Sequence, residues 1–277
     1  MNDDLRAPLS GIGRARGFVS VALRTIGGQW AYRGSTLMAL ASSAVGYFVL
    51  LLVWRQAYAG RGALPAYPPE RLFAYLAVAF ILNFALTLAV EVRFGSRLQS
   101  GMIAFDVMRP LGCMPLQLAR AVGEALSSGV VALVLYGVGW AVFGNIVVPP
   151  SAEWLFLGLL SAALALLLNF AIGYLAAQGL FLTLHYYGVT QSRAALHYAF
   201  SGLAAPLALF PPGLRSAATV LPFRHVIETP VSIILGLVPR SSVPALLCQQ
   251  VAWALGLLAL AAVLFQACFR RHQLQGG

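Results

Sequence analysis

The stretch GSTLMALASSAVGYFVLLLVW, Gly34–Trp54, runs for 21 residues without a charge between Arg33 and Arg55. As a helix it would be about 31 Å long, the thickness of a bilayer's hydrocarbon core. Five more runs of this kind follow. Leu72–Val90 lies between Arg71 and Glu91, and Ala125–Phe143 lies between Glu124 and the turn signals Gly144-Asn145 and Pro149-Pro150. Trp154–Leu184 belongs to a charge-free run that reaches Ser192. Ala194–Phe210 is interrupted by Pro206 and ended by Pro211-Pro212, and Leu246–Phe269 stops at Arg270-Arg271. The expectation is an all-α membrane protein with six transmembrane helices, near residues 34–54, 72–92, 122–143, 154–184, 194–212 and 246–269. Residues 34–277 would form the six-span domain and residues 1–33 a cytoplasmic N-terminal amphipathic segment.

Composition agrees. Hydrophobic residues make up 60% of the 277, and charged residues only 9%, against about 25% in a soluble domain. Mean hydropathy is +0.82. Too little polar surface is left to cover a soluble globule, and a disordered chain, a disulfide scaffold and a coiled coil are excluded. All 18 basic residues are arginine. A phosphate-binding Walker loop needs its lysine, as do Schiff-base chemistry and a Ser–Lys dyad, so this chain carries none of the three. Cys113, Cys248 and Cys268 are odd in number and far apart, which argues against a disulfide. The four histidines have no metal-binding spacing.

The arginines orient the chain. Twelve fall on the face that holds both termini, among them Arg14, Arg16, Arg24, Arg93, Arg97, Arg109, Arg120 and Arg193; six fall on the other. By the positive-inside rule both termini are cytoplasmic. Trp54, Trp140 and Trp154 would then lie at the outer interface, where indole rings prefer to sit. Met1-Asn2-Asp3-Asp4 does not begin a signal peptide. Gly17–Tyr32 mixes Phe18, Val21, Leu23, Ile26 and Trp30 with arginines, as a basic helix on a membrane surface does.

The segment RFGSRLQSGMIAFDVMRPLGCMPLQLAR, Arg93–Arg120, is too long for a tight turn. Leu98, Met102, Phe105 and Met108 follow at helical steps and line one face, with Gln99, Asp106 and Arg109 off it; Pro110 ends the helix. Such a helix can dock into a groove on a partner or lie on lipid headgroups, and periodicity does not choose between them. Arg215–Arg240 contains Pro222, Pro230 and Pro239 among apolar Val226, Ile227, Val231, Ile233, Ile234 and Leu235. It is too interrupted to span and too apolar for an ordinary loop, which suggests a re-entrant or interface-lying hairpin on the outer face. Arg224 and Glu228 are four apart, close enough to pair on one turn. Within the spans, Asn83, Asn169 and Gln178 either line a substrate path or bond helices together. Glu91 and Glu124 would brace the Arg93–Arg120 segment through nearby arginines. The spacing of Ala39, Ser42, Ser43 and Gly46 permits close helix approach, within the chain or between two copies.

Three ordered stretches carry a family resemblance: AYRG (Ala31–Gly34), SGMIAFDVMRPL (Ser100–Leu111) and LPFRHVIETPVSIILG (Leu221–Gly236). Together they resemble the ABC type-2 exporter permeases, in particular a six-span subfamily of about this length. The resemblance implies a multi-pass permease subunit, not an enzyme, in the bacterial cytoplasmic (inner) membrane. It would move a hydrophobic or amphiphilic substrate. A separate ABC ATPase subunit would bind ATP-Mg and drive it, and this chain would hold no cofactor. A second permease copy or a paralogue and membrane lipid would be its other partners, with no nucleic acid. Arg97, Leu98, Ser100, Gly101, Met102, Phe105, Asp106 and Arg109 would form the coupling helix that enters the ATPase groove. Gly17–Tyr32 would match the connecting helix, and Pro222, Glu228 and Pro230 the outer re-entrant helices. The alternative is an ion-coupled secondary transporter, which would require an internal repeat and carboxylates at mid-membrane. Neither is evident in the sequence.

Overall fold

A computed structural model describes residues 11–31, 33–61, 67–143, 149–183 and 185–275. Arg6, the Gly144-Asn145 turn and the side chains of Trp140, Arg270 and Arg271 lie outside this description. The described residues are all-α, 85% of them helical. Its helices are α1 (Gly11–Ala31), α2 (Arg33–Arg61), α3 (Pro69–Ala85), α4 (Val90–Gln99), α5 (Ile103–Met108), α6 (Cys113–Phe143), α7 (Ala152–Gln178), α8 (Leu180–Thr183), α9 (Tyr186–Phe200), α10 (Pro212–Val220), α11 (Glu228–Ile234) and α12 (Val243–Gln275). Among the described residues, four helical stretches are long and apolar enough to cross a membrane: Thr36–Ala59, Pro69–Gln99, Ala152–Gln178 and Arg240–Cys268. The expected span at 122–143 lies within α6, which is 31 residues long.

Helix α7 is the central post. It is apolar on all sides, as a helix wrapped by others must be, and it packs against α12, α11, α4, α9 and α6. One apolar cluster joins Leu72, Tyr75, Leu76 and Ala79 of α3 to Leu168 of α7 and to Val226, Ile227 and Val231 of the expected outer segment. A second joins Phe94 of α4 to Phe170 and Tyr174 of α7, Phe181 of α8 and Ala261 of α12. Phe94 meets Tyr174, Phe181 and Phe265 edge-on, at ring-centroid distances of 5.8, 5.7 and 6.2 Å. Helix α1 lies along α6 so closely that a β-carbon on Gly123 would come 2.5 Å from the Ala22 carbonyl oxygen. Its other face leaves Ile12, Val19, Leu23 and Trp30 exposed beside Arg16 and Arg24, so the amphipathic helix expected at Gly17–Tyr32 has one face on protein and one free.

Three expected spans differ from the helices found. The fourth, expected at 154–184, is interrupted at Gly179, which separates α7 from α8. The second is not continuous: residues 86–89 leave the helix between α3 and α4. The Thr87 hydroxyl donates to the Asn83 carbonyl at 2.9 Å, a back-bond that bends helices. The fifth begins earlier and ends earlier than 194–212. Helix α9 stops at Phe200, and at 15 residues it is about 22 Å long, short of a bilayer core. Gly202 takes φ +83°, a conformation that excludes a continuing helix. Pro206 and Pro211 are themselves extended and bracket a single 3-10 turn, Leu207–Leu209, before α10 begins.

Candidate functional site

The Arg93–Arg120 segment folds as a helix–turn–helix hairpin between α4 and α6. Gly101 (φ +70°) and Gly112 (φ +78°) make its two corners, and both are conformations that glycine alone adopts readily. The corner at Gly101 divides the expected single helix. Leu98 stays on α4, partly buried against the inner apolar cluster. Met102, Phe105 and Met108 project from the corner and from α5, 43%, 60% and 80% exposed. Ser100, Gly101 and Arg109 are exposed beside them.

Asp106 points the other way. It is fully buried, and its carboxylate is the hub of the hairpin. Arg97 of α4 grips it with two nitrogens, Nε on Oδ2 and Nη2 on Oδ1 at 2.7 Å. Arg120 of α6 lies 3.7 Å away and Arg109 3.8 Å away. One carboxylate thus faces three guanidiniums and pins α4, α5 and α6 to one point. The paired Arg–carboxylate geometry is the strong kind, and the surplus of cations leaves the exposed face electropositive. Sequence periodicity placed Asp106 off the apolar stripe but not under the helix; its partners come from both flanking helices. Beneath the hairpin, burial pushes the Cys113 thiol up to about 11.

A polar girdle surrounds α4 above this hairpin. Arg93 pairs with Glu124 of α6. Glu91, 1% exposed, pairs with Arg193 of α9. Glu124 also accepts from the Ala89 amide at 3.2 Å, and Asn169 donates to the Leu86 carbonyl at 2.7 Å. These two side chains supply partners that the broken helix at 86–89 has lost, as backbone at membrane depth requires. Asn169 receives a bond from Arg193 at 3.3 Å, and Asn83 meets the His197 ring at 3.2 Å. Asn83 and Asn169 thus each bond to a neighbouring helix. Arg193, counted from sequence among the arginines of the cytoplasmic face, lies within α9. It is the one charged residue between Glu153 and Arg215, and that isolation was the available sign that it belongs to a buried pair.

The outer segment is a compact insert rather than a loop. Pro222–His225 forms a single 3-10 turn, α11 follows, and Gly236 (φ +61°) turns the chain back. Pro222 and Pro230 are buried. Helix α11 sits on α7 where a β-carbon on Gly158 would come 2.2 Å from Ile234. Arg224 and Glu228 form no ion pair, because the chain changes from 3-10 turn to α-helix between them and they do not share a helical face. Glu228 instead caps the end of α9: its amide donates to the Ser201 carbonyl at 3.0 Å and its carboxylate accepts from the Leu207 amide at 3.3 Å. Burial raises its carboxyl to about 7, against the opposing pull of Arg224.

A family model described as ABC-2 family transporter protein matches residues 44–276, which takes in the hairpin, the girdle and the outer insert. The chain belongs to the ABC-2 transporter family. No curated protein matches the sequence. As an ABC-2 transporter membrane domain it is a multi-pass transport subunit. The resemblance read from Ser100–Leu111 and Leu221–Gly236 was to this family.

Proposed function

We propose that this ABC-2 protein is the permease subunit of an ATP-driven exporter with cytoplasmic termini and six membrane crossings, the fifth made by α9 together with the irregular residues 201–211 that follow it, working as a pair of permeases with two separate ATPase subunits that hold ATP-Mg. The single observation that supports it best is the projecting trio Met102, Phe105 and Met108 on a hairpin braced from beneath by Asp106. A short helix with apolar knobs and an electropositive base fits a partner groove with apolar pockets and an acidic rim. Export of a hydrophobic or amphiphilic substrate accords with the mainly apolar walls of the cavity beside α9, among them Leu175, Val189, Leu196, Phe223 and Leu257. The outer insert would lie re-entrant at membrane depth, since its irregular backbone is sheltered against α3 and α7. The bacterial inner membrane is the matching location.

The test is co-purification from membranes of the native host, with the eluate read for an ABC ATPase. The parent should bring the ATPase down, and the double variant Phe105→Asp/Met108→Asp should lose it while keeping the parent's melting temperature, because both side chains lie outside the core. Equal recovery of the ATPase by both proteins would remove α5 from the interface.

A further inference from the structure

We propose that the Glu91–Arg193 pair is a positioning element of the transport cycle, forcing α9 to follow α4 when the docking hairpin moves. The inference rests on the permease reading above. Helix α4 is an arm. Its far end is clamped to the hairpin through Arg97 and Asp106, and its near end joins α3 through the four non-helical residues 86–89. Arg93–Glu124 and Arg120–Asp106 fasten the same arm to α6, so α4, α5 and the start of α6 form one block. Glu91–Arg193 is the ion pair that carries this block to α9.

Helix α9 is built to be carried. It follows the break at Gly179, starts at His185 without a side-chain cap, and ends in the bend of residues 201–206. Between these ends Arg193 bonds to Glu91 and to Asn169, and His197 bonds to Asn83. Asn169 connects the two moving parts to the central post, since one amide group serves both the Leu86 carbonyl at the α3–α4 break and the Arg193 guanidinium. Arg193 also forms part of the wall of a cavity of about 660 Å³ between α7, α9, the Pro222–His225 turn and α12, whose other walls include Leu175, Val189, Leu196, Phe223 and Leu257. A shift of α9 reshapes that cavity. A buried ion pair is a weak source of stability compared with apolar packing, but it fixes which surfaces meet, which suits a coupling element.

The experiment uses the permease–ATPase complex in nanodiscs, with one permease copy labelled and Cys248 and Cys268 replaced by serine. Spin labels on cysteines at Ser96 of α4 and at Tyr187 of α9 are each measured by electron–electron resonance against one at Val251 of α12, without nucleotide and with ATP-Mg plus vanadate. In the parent both distances should shift. In Glu91→Gln the Ser96 distance should still shift while the Tyr187 distance stays put, and the exchange Glu91→Arg/Arg193→Glu should restore it. A Tyr187 shift of parental size in Glu91→Gln overturns the coupling role and leaves the permease reading standing. Absence of any shift in the parent, or of an assembled complex, overturns the permease reading and the inference with it.

Discussion

Replacing Asp106 by asparagine keeps the shape of the side chain and removes its charge. Arg97 then loses a two-nitrogen partner, and Arg120 and Arg109 lose the carboxylate they face at 3.7 and 3.8 Å. Removing one member of a buried ion pair costs roughly 3–5 kcal/mol. Arg97 and Arg120 are about one-fifth exposed, with side-chain values of 21% and 18%, so solvent relieves part of that cost and the lower figure applies. Asp106 belongs to a hairpin with two glycine corners, and the loss should appear as local opening of residues 100–112 before it appears as global unfolding.

Cys113 reports this opening. It begins α6 directly behind the Gly112 corner, is buried, and has its thiol pushed up to about 11 by that burial, so in the closed hairpin it is unreactive. With Cys248 and Cys268 replaced by serine, maleimide labelling of Cys113 at neutral pH measures the open fraction. A cost of 3 kcal/mol raises that fraction about 10²-fold, and Asp106→Asn should accelerate labelling by that order. Adding Arg97→Met should recover part of the loss, since the orphaned cation is then gone. Equal labelling rates in parent and Asp106→Asn would refute the hub reading, because the carboxylate would then not be holding the hairpin shut.

Other substitutions probe other levels of the structure. Gly123→Leu forces a side chain onto the Ala22 carbonyl and should release α1 from α6, seen as new tryptic cleavage at Arg24 and a stability loss of about 3 kcal/mol, the upper end for overpacking. Gly158→Ala should lower the melting temperature by displacing α11, and Ile234→Ala in the same protein should restore much of it, since Ile234 is the side chain in the way. Glu228 has its carboxyl raised to about 7. The fold therefore favours the protonated acid; that contribution is full below the ordinary carboxylate range and is lost as pH rises through about 7. Melting temperature should fall between pH 5.5 and 8 in the parent, by the equivalent of roughly 2 kcal/mol, and Glu228→Gln should flatten the profile.

The long helices were legible because length and hydropathy are one-dimensional properties. Gly34–Trp54 falls inside α2, and Leu246–Phe269 falls inside α12. The projecting trio was legible for a similar reason, since Met102, Phe105 and Met108 keep helical spacing after the Gly101 corner. What escaped were relations between distant positions. Glu91 was read against Arg93 and Arg97, its neighbours in sequence, yet its partner is Arg193, about a hundred residues away. The break at 86–89 contains neither proline nor glycine, and the partners that make it tolerable, Asn169 and Glu124, come from α7 and α6. The end of α9 did carry local signals in Gly202 and Pro206, but a reading led by charge-free length passed over the glycine.

These misses share a physical cause. In a bilayer, an amide or carboxylate inside a span is costly unless it meets a polar group, and the groups in need are the backbone atoms of some other helix that has been broken. Asn169 on α7 serves the break in α3–α4. Tyr75 on α3 donates to the Gly202 carbonyl at 2.8 Å, and Trp54 on α2 donates to the Ala204 carbonyl at 3.0 Å, both at the bend after α9. Gln250 on α12 reaches the His225 carbonyl at 2.8 Å, in the 3-10 turn of the outer insert. In each case the polar side chain sits on an unbroken stretch of helix and its bond goes to a discontinuity elsewhere. A polar residue in an apolar run can therefore point to a neighbouring helix interrupted at the same depth, as these four do, whereas Gln178 of α7 donates to the Ala261 carbonyl inside the continuous α12 at 2.7 Å. Read that way, Asn169 points to an interruption in a span beside α7, and the chain's apolar content, which first suggested a set of plain rods, becomes the reason that every irregularity must be supplied with its own donor or acceptor.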